Sequence, residues 1–120
     1  DRYAPKTVRA TMGSLFAAPV ARVQDVVAAA GWIETAREAA EDLQVVATVP
    51  TDVLPIHACD LSKPTIIVVG NERKGVTDGM RALCDVEAAI PMSGAAESLN
   101  SAVATSIVLY EACRQRATHA

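Results

Sequence analysis

Five consecutive residues, Thr65-Ile66-Ile67-Val68-Val69, are β-branched at odd and even positions alike, and Gly70 stops the run. A strand with one wet face alternates polar and apolar residues. A strand without alternation is covered on both faces, which happens chiefly in parallel sheets with helices above and below. The run therefore reads as a central strand of such a sheet. Gln44 to Val49 is a second β-branched segment, stopped by Pro50, and Val86 to Ile90 a third, closed by Pro91. Met12 to Ala17 reads as a short strand ended by Pro19.

Between the strands the period changes. Val26, Ala30, Ile33, Ala36, Ala40 and Leu43 recur at helical spacing from Asp25 to Leu43, with Gly31 a point where the helix could divide. Val76 to Leu83 predicts a short helix and Glu97 to Gln115 a long one. The long one has Leu99, Val103, Ile107, Val108 and Tyr110 around most of its circumference, so it should be buried on several sides. Thr51 to Pro64, rich in turn signals, reads as an irregular connection. The whole is one domain, 1–120: an α/β fold with a mainly parallel sheet flanked by helices. Ligands of such sheets bind outside the carboxyl ends of the strands, here after Val49, Val69 and Ile90.

Composition is consistent with this architecture. The 120 residues suffice for a core, half are apolar, and the only aromatics are Tyr3, Phe16, Trp32 and Tyr110. The core must be built from Val, Ile, Leu and Ala. No segment has the roughly 20 apolar residues of a membrane span. The start lacks both a signal-peptide core and an initiator Met, and reads as a cut edge. Cys59, Cys84 and Cys113 form no CxxC pair, which points to reduced thiols in a cytoplasmic protein and to no metal. A net charge of −3 argues against a nucleic-acid partner, but Arg2, Lys6, Arg9 and Arg22 make a basic N-terminal edge on an acidic body.

Two segments carry chemistry. Gly70-Asn71-Glu72-Arg73-Lys74-Gly75 follows the strongest strand directly. Gly70 permits a sharp turn and a close backbone approach. A phosphate loop would need Lys and then Ser or Thr after the second glycine; Val76-Thr77 stand there instead, and GxGxxG is absent. A plain strand-to-helix turn explains the two glycines equally well. The second segment, Ile90 to Ala104, runs from a strand end through a small-residue loop to the polar trio Glu97, Ser98 and Asn100 at the mouth of an apolar helix. One helix cap needs one such residue. Asn100, placed inside the first turn, is a mediocre helix former there, which favours a ligand role.

Together GNERKG, the twenty-residue step to Ile90, and IPM-x-G-x-x-ESLN-x-x-VA closely resemble motifs 2 and 3 of the SpoU (TrmH-like) RNA methyltransferases. Pro5 to Phe16 and Asp60 to Pro64 are similar to that family too, so the resemblance covers about residues 1–116. It implies an α/β domain with a deep trefoil knot tied around 68–75 and 90–105, and a homodimer formed through helical faces beside the cofactor site. The implied cofactor is S-adenosylmethionine, at Gly70, Ile90 and Leu99 with Thr48, Val49, Pro50, Asn71 and Met92 as neighbours. The implied reaction is methyl transfer to a ribose 2′-hydroxyl of ribosomal or transfer RNA. Glu72, Ser98 and Asn100 would stand at the reacting centre, and Arg9, Arg73 and Lys74 would contact RNA phosphates.

The family's motif 1, with its Asn and catalytic Arg, has no counterpart in this sequence, and Arg9 lies in a different segment. Two rival expectations follow: a non-catalytic module that dimerises and binds cofactor or RNA, and an unrelated α/β enzyme using Cys84 or His57 as nucleophile or base.

Overall fold

A computed structural model describes residues 3–10, 12, 17–50, 53–93 and 99–119. Four strands form one sheet in the order β2-β4-β1-β3, every pair parallel: β1 (Gln44–Thr48), β2 (Leu54–Pro55), β3 (Thr65–Val69) and β4 (Val86–Ala89). Helices α1 (Pro5–Ala10), α2 (Val26–Ala39), α3 (Asp78–Arg81) and α4 (Ser101–His119) complete it, with a 3-10 turn over Ile56–Ala58. The parallel α/β architecture expected from the sequence is the one observed.

Several details differ. β1 lies inside the sheet, with Val45, Val46 and Ala47 wholly buried, whereas β3 pairs with β1 alone among the described residues and is half-buried throughout. Aliphatic composition was the wrong guide: β1 is central because it has two hydrogen-bonded neighbours. α2 runs unbroken through Gly31, with Asp25 as its cap, its carboxylate accepting from Ala28 N at 2.8 Å. It stops at Ala39, short of Leu43, because Asp42 adopts a left-handed φ of 62° in the turn before β1. The 51–64 connection is not wholly irregular; it contains β2 and the 3-10 turn. α3 is reduced to four residues behind its cap Thr77. The predicted strand over 12–17 falls mostly on residues 13–16, outside the described residues.

One face of the sheet carries the core. Val46, Ile56, Cys59, Leu61, Ala88 and Val108 are buried together, with Ile67, Val86, Ile90 and Ala112 against them. Burying a side chain such as Leu61 contributes about 1.5–3 kcal/mol. α4 is not buried on several sides as expected. Val108 is sealed, but Val103 is 47% exposed and Tyr110 72%. The helix therefore packs through one stripe, and the rest of its apolar surface faces outward.

Polar side chains fasten α4 and α2 to the sheet. Gln115 is buried; its Oε1 accepts from Leu61 N at 2.7 Å and its Nε2 donates to Cys59 O at 3.0 Å. Arg116 donates to Leu61 O and Lys63 O. Arg37 of α2 bonds both oxygens of Asp85, which also accepts from Val45 N at 2.8 Å. Burial pushes the Asp85 carboxyl up, but the Val45 N–H and the Arg37 guanidinium outweigh it and hold the group below its ordinary value.

Candidate active site

Because β1, β3 and β4 are parallel, their carboxyl ends meet at one edge of the sheet. A cleft of about 470 Å³ opens there. Its walls come from the end of β1 (Thr48, Val49, Pro50), the end of β3 and its turn (Val69 to Val76), the segment after β4 (Ile90, Met92), and the start of α4 (Leu99, Ser101, Ala104). Arg81 of α3 also lines it. A second cavity of about 400 Å³ is lined by Asn71, Glu72, Arg73 and Ser101, all of which line the first as well.

The turn after β3 is a closed ring. Asn71 N donates to Gly75 O at 3.2 Å and Gly75 N to Asn71 O at 2.7 Å. Asn71 Oδ1 accepts from Arg73 N and Lys74 N at 2.8 and 3.3 Å, filling the ring's interior donors. Gly75 has φ +69°, and a Cβ on Gly70 would sit 2.1 Å from Gly75 C and 2.2 Å from Val76 N. Gly70 is thus dictated by close backbone approach, and Gly75 by a left-handed conformation.

The start of α4 is tied to that ring. Ser101 Oγ donates to Gly70 O at 2.9 Å, and Asn100 Nδ2 donates to Glu72 Oε1 at 3.0 Å. Asn100 is the cap of α4: its Oδ1 accepts from Ala102 N at 2.8 Å and Val103 N at 3.4 Å. This corrects the sequence reading, which placed Asn100 inside a helix starting at Glu97. The helix begins at Ser101, so capping alone accounts for an Asn here. What capping leaves unexplained is the amide's second bond, across 28 residues, to Glu72.

All eight expected cofactor residues line the one cleft: Thr48, Val49, Pro50, Gly70, Asn71, Ile90, Met92 and Leu99. Glu72, Arg73 and Lys74 line it too. Asn100 lies behind Glu72 and reaches the cleft through that carboxylate. Ser98 is outside the described residues. Arg9, exposed on α1, is not among the lining residues. Sequence reasoning passed over Ser101 and Arg81. Ser101 stood in the quoted motif beside Asn100; Arg81 lay outside both motifs, in the short helix that follows the first.

The rival nucleophile and base are elsewhere. His57 is exposed in the 3-10 turn. Burial pushes the Cys84 thiol up, aided by Asp85 and Glu87, and its Sγ is engaged with Met80 O at 3.2 Å. A thiol held protonated is a poor nucleophile, and neither residue lines the cleft. Among the described residues no group of three or more His, Cys, Asp or Glu could hold a metal, and no helix is long and apolar enough to cross a membrane.

The cleft has an apolar wall (Val49, Pro50, Ile90, Met92, Leu99) facing a polar rim, and its volume is in the range for a nucleotide-sized ligand. Fold and site thus define an α/β ligand-binding domain with its cleft across the strand ends. Comparison with known proteins narrows this: the chain belongs to the SpoU rRNA Methylase family, whose pattern it matches over residues 1–110. It is 40% identical over 116 residues to the 23S rRNA (uridine(2479)-2′-O)-methyltransferase of Streptomyces viridochromogenes, covering 97% of this chain and 40% of that protein. The tRNA (guanosine(18)-2′-O)-methyltransferase of Aquifex aeolicus is 47% identical over 74 residues, covering 61% of this chain and 35% of that protein. The crystal structure of the SpoU methyltransferase AviRb from S. viridochromogenes in complex with the cofactor AdoMet superposes with a TM-score of 0.91 at 40% identity, covering 98% of this chain and 47% of that one. The chain thus spans less than half the length of these relatives.

Proposed function

We propose that this chain forms the S-adenosylmethionine-binding domain of an RNA ribose 2′-O-methyltransferase. The observation that carries the reading is the convergence of three strand-end segments, 48–50, 70–75 and 90–92, with Leu99 of the α4 approach, on one cleft. Adenine suits a slot of aliphatic side chains bordered by strand-end backbone, and the apolar wall provides that slot. The cofactor supplies an electrophilic methyl group; the protein's work is to orient and to exclude water.

Glu72 stands where the two cavities adjoin, with Oε1 fixed by Asn100. Its other oxygen has no partner among the described residues and is the group to receive a ribose hydroxyl. A 2′-hydroxyl is a weak nucleophile at neutral pH, so alignment by Glu72 and Asn100, with Ser98, would be accompanied by proton transfer to a further base, helped by a cation that stabilises the developing oxyanion. Arg73 and Lys74 on the ring's exposed tip, with Arg9, would hold flanking phosphates. The reading also includes a trefoil knot, with the 90–105 segment passing the loop around 68–75, and a homodimer. The hydrogen bonds from Asn100 and Ser101 to that loop support the first. The outward apolar face of α4, Val103, Ile107 and Tyr110, supports the second.

Calorimetry with S-adenosylmethionine, then methyl transfer to total RNA with mapping of 2′-O-methyl sites, tests the proposal. Stoichiometric binding by this chain, and ribose methylation by the protein that carries it, are expected. Absence of cofactor binding, or methylation of a base instead of ribose, refutes it.

A further inference from the structure

Arg81 lines the cleft but belongs to none of its converging segments. It sits at the end of α3, and its guanidinium is fixed by one carboxylate oxygen: Nε lies 2.7 Å and Nη2 2.6 Å from Glu87 Oε1. That contact sets its direction. Val86 and Ala88 pack with Val108 of α4, and successive residues of a strand point to opposite faces, so Glu87 projects from the face away from α4. The cleft crosses the strand tips from the α4 side, at Leu99, Ser101 and Ala104, to the α3 side, at Val76 and Arg81.

The third guanidinium nitrogen, Nη1, has no partner among the described residues. Three cations, Arg73, Lys74 and Arg81, line the cleft, and Glu72 is the sole carboxylate among its described lining residues, in a protein whose net charge is −3. Arg73 and Lys74 stand on the exposed turn. Arg81 is exposed too, its side chain at 43%, but it alone of the three is held by a partner on the sheet, which biases its planar fork toward one direction before any ligand arrives.

We propose that Arg81 is an oxyanion receptor, and that it takes the α-carboxylate at the amino-acid end of the adenosyl ligand. The inference rests on the reading of the cleft as a S-adenosylmethionine site. An adenosyl ligand with adenine on the apolar wall must lead its charged end out of that wall, and Arg81 terminates the cleft on the α3 side.

The test compares two neutral thioethers, S-adenosylhomocysteine, which has the amino-acid end, and 5′-deoxy-5′-methylthioadenosine, which lacks it. Binding of each to the protein carrying this chain is measured by calorimetry. Arg81→Gln should weaken S-adenosylhomocysteine about ten- to a hundredfold, the range for a charge-assisted hydrogen bond, and leave methylthioadenosine within about twofold. Equal weakening of both ligands would make Arg81 a structural support and overturn the proposal. Unchanged affinity for both, with weaker RNA binding, would also overturn it, assigning the oxyanion to a phosphate. If Arg81→Gln does not fold, Arg81→Lys carries the comparison, because it keeps the charge and loses the fork. A loss confined to S-adenosylhomocysteine supports the assignment and parity between the ligands overturns it. Wild-type protein that binds neither ligand defeats the cofactor reading itself, before any variant is made.

Discussion

Replacing Gln115 with Ala should destabilise the protein far more than its place near the end of α4 would suggest. Its side-chain amide serves as a backbone mimic: Oε1 takes the Leu61 N–H and Nε2 gives to the Cys59 carbonyl. Both residues are buried, Leu61 at 0% and Cys59 at 4% exposure, so water does not readily replace the lost partner. Each buried group left unsatisfied costs about 1–3 kcal/mol, and two together cost about 2–6 kcal/mol. A chain of this size has a total stability of about 6–18 kcal/mol, so the loss is a large share of it. Taking about 3 kcal/mol, the thermal midpoint should fall by about 10 °C. Gln115→Met, which keeps the volume and removes the amide, should fall nearly as far, separating hydrogen bonding from packing. Urea denaturation of the three proteins measures the difference, and amide exchange at Leu61 locates it. Ser101 and Gln115 are separated by about 21 Å along the helix axis, so ligand affinity of the folded variants should stay within about twofold. A loss below about 0.5 kcal/mol in both variants would refute the reasoning, since that is the range of an ordinary surface substitution.

Gly70→Ala must displace Gly75 or Val76, because the new Cβ would lie 2.1 Å from backbone; the ring should open and S-adenosylmethionine affinity drop at least about tenfold by calorimetry, an overpacking cost of about 1–3 kcal/mol. Asn100→Ala removes both the α4 cap and the Glu72 partner. Stability should fall by about 1 kcal/mol while methyl transfer falls much further, and a wild-type rate would count against placing Glu72 at the reacting centre. If the outward face of α4 is the seam of the proposed dimer, Ile107→Asp should sediment as a monomer where the unsubstituted protein sediments as a dimer, and a dimeric variant would count against that face. On the acid side, Arg114 and Gln115 hydrogen bonds hold the Glu111 carboxyl at about 2, and Asp85 is also held low. Both are depressed in the folded state, so their stabilisation is complete above the ordinary carboxylate range and is lost on acidification, for Glu111 as pH falls from about 4.5 toward about 2. Glu111→Gln should therefore flatten the acid limb of stability measured by circular dichroism.

The strands and their stop signals were legible because aliphatic runs ending in Pro50, Gly70 and Pro91 admit few other structures. Their parallel pairing then brings the three ends to one edge, which is why seven of the eight expected cofactor residues share a cleft; the eighth, Leu99, is brought there by the approach to α4. Pairing order was not legible. Gln44–Thr48 begins and ends on a polar residue and looks less buried than Thr65–Val69, yet it lies inside the sheet. Neighbour relations come from chain crossovers, which composition does not encode. The start of α4 was misplaced by four residues because Glu97, Ser98 and Asn100 are all plausible at a helix mouth; only the bonds from Asn100 Oδ1 to Ala102 N and Val103 N single out the cap. Arg81 was missed because its role depends on Glu87, a partner six residues away on another element.

The fastenings of α4 impose an order of events as the polypeptide is made. Ser101 grips a carbonyl 31 residues upstream, and Gln115 grips groups 54 and 56 residues upstream. Synthesis delivers this helix after every surface it docks on. The ring at 70–75 must then stand waiting, its carbonyl unclaimed, until the ribosome has released some thirty further residues. A cleft finished this late gives a nascent chain no means of capturing ligand early.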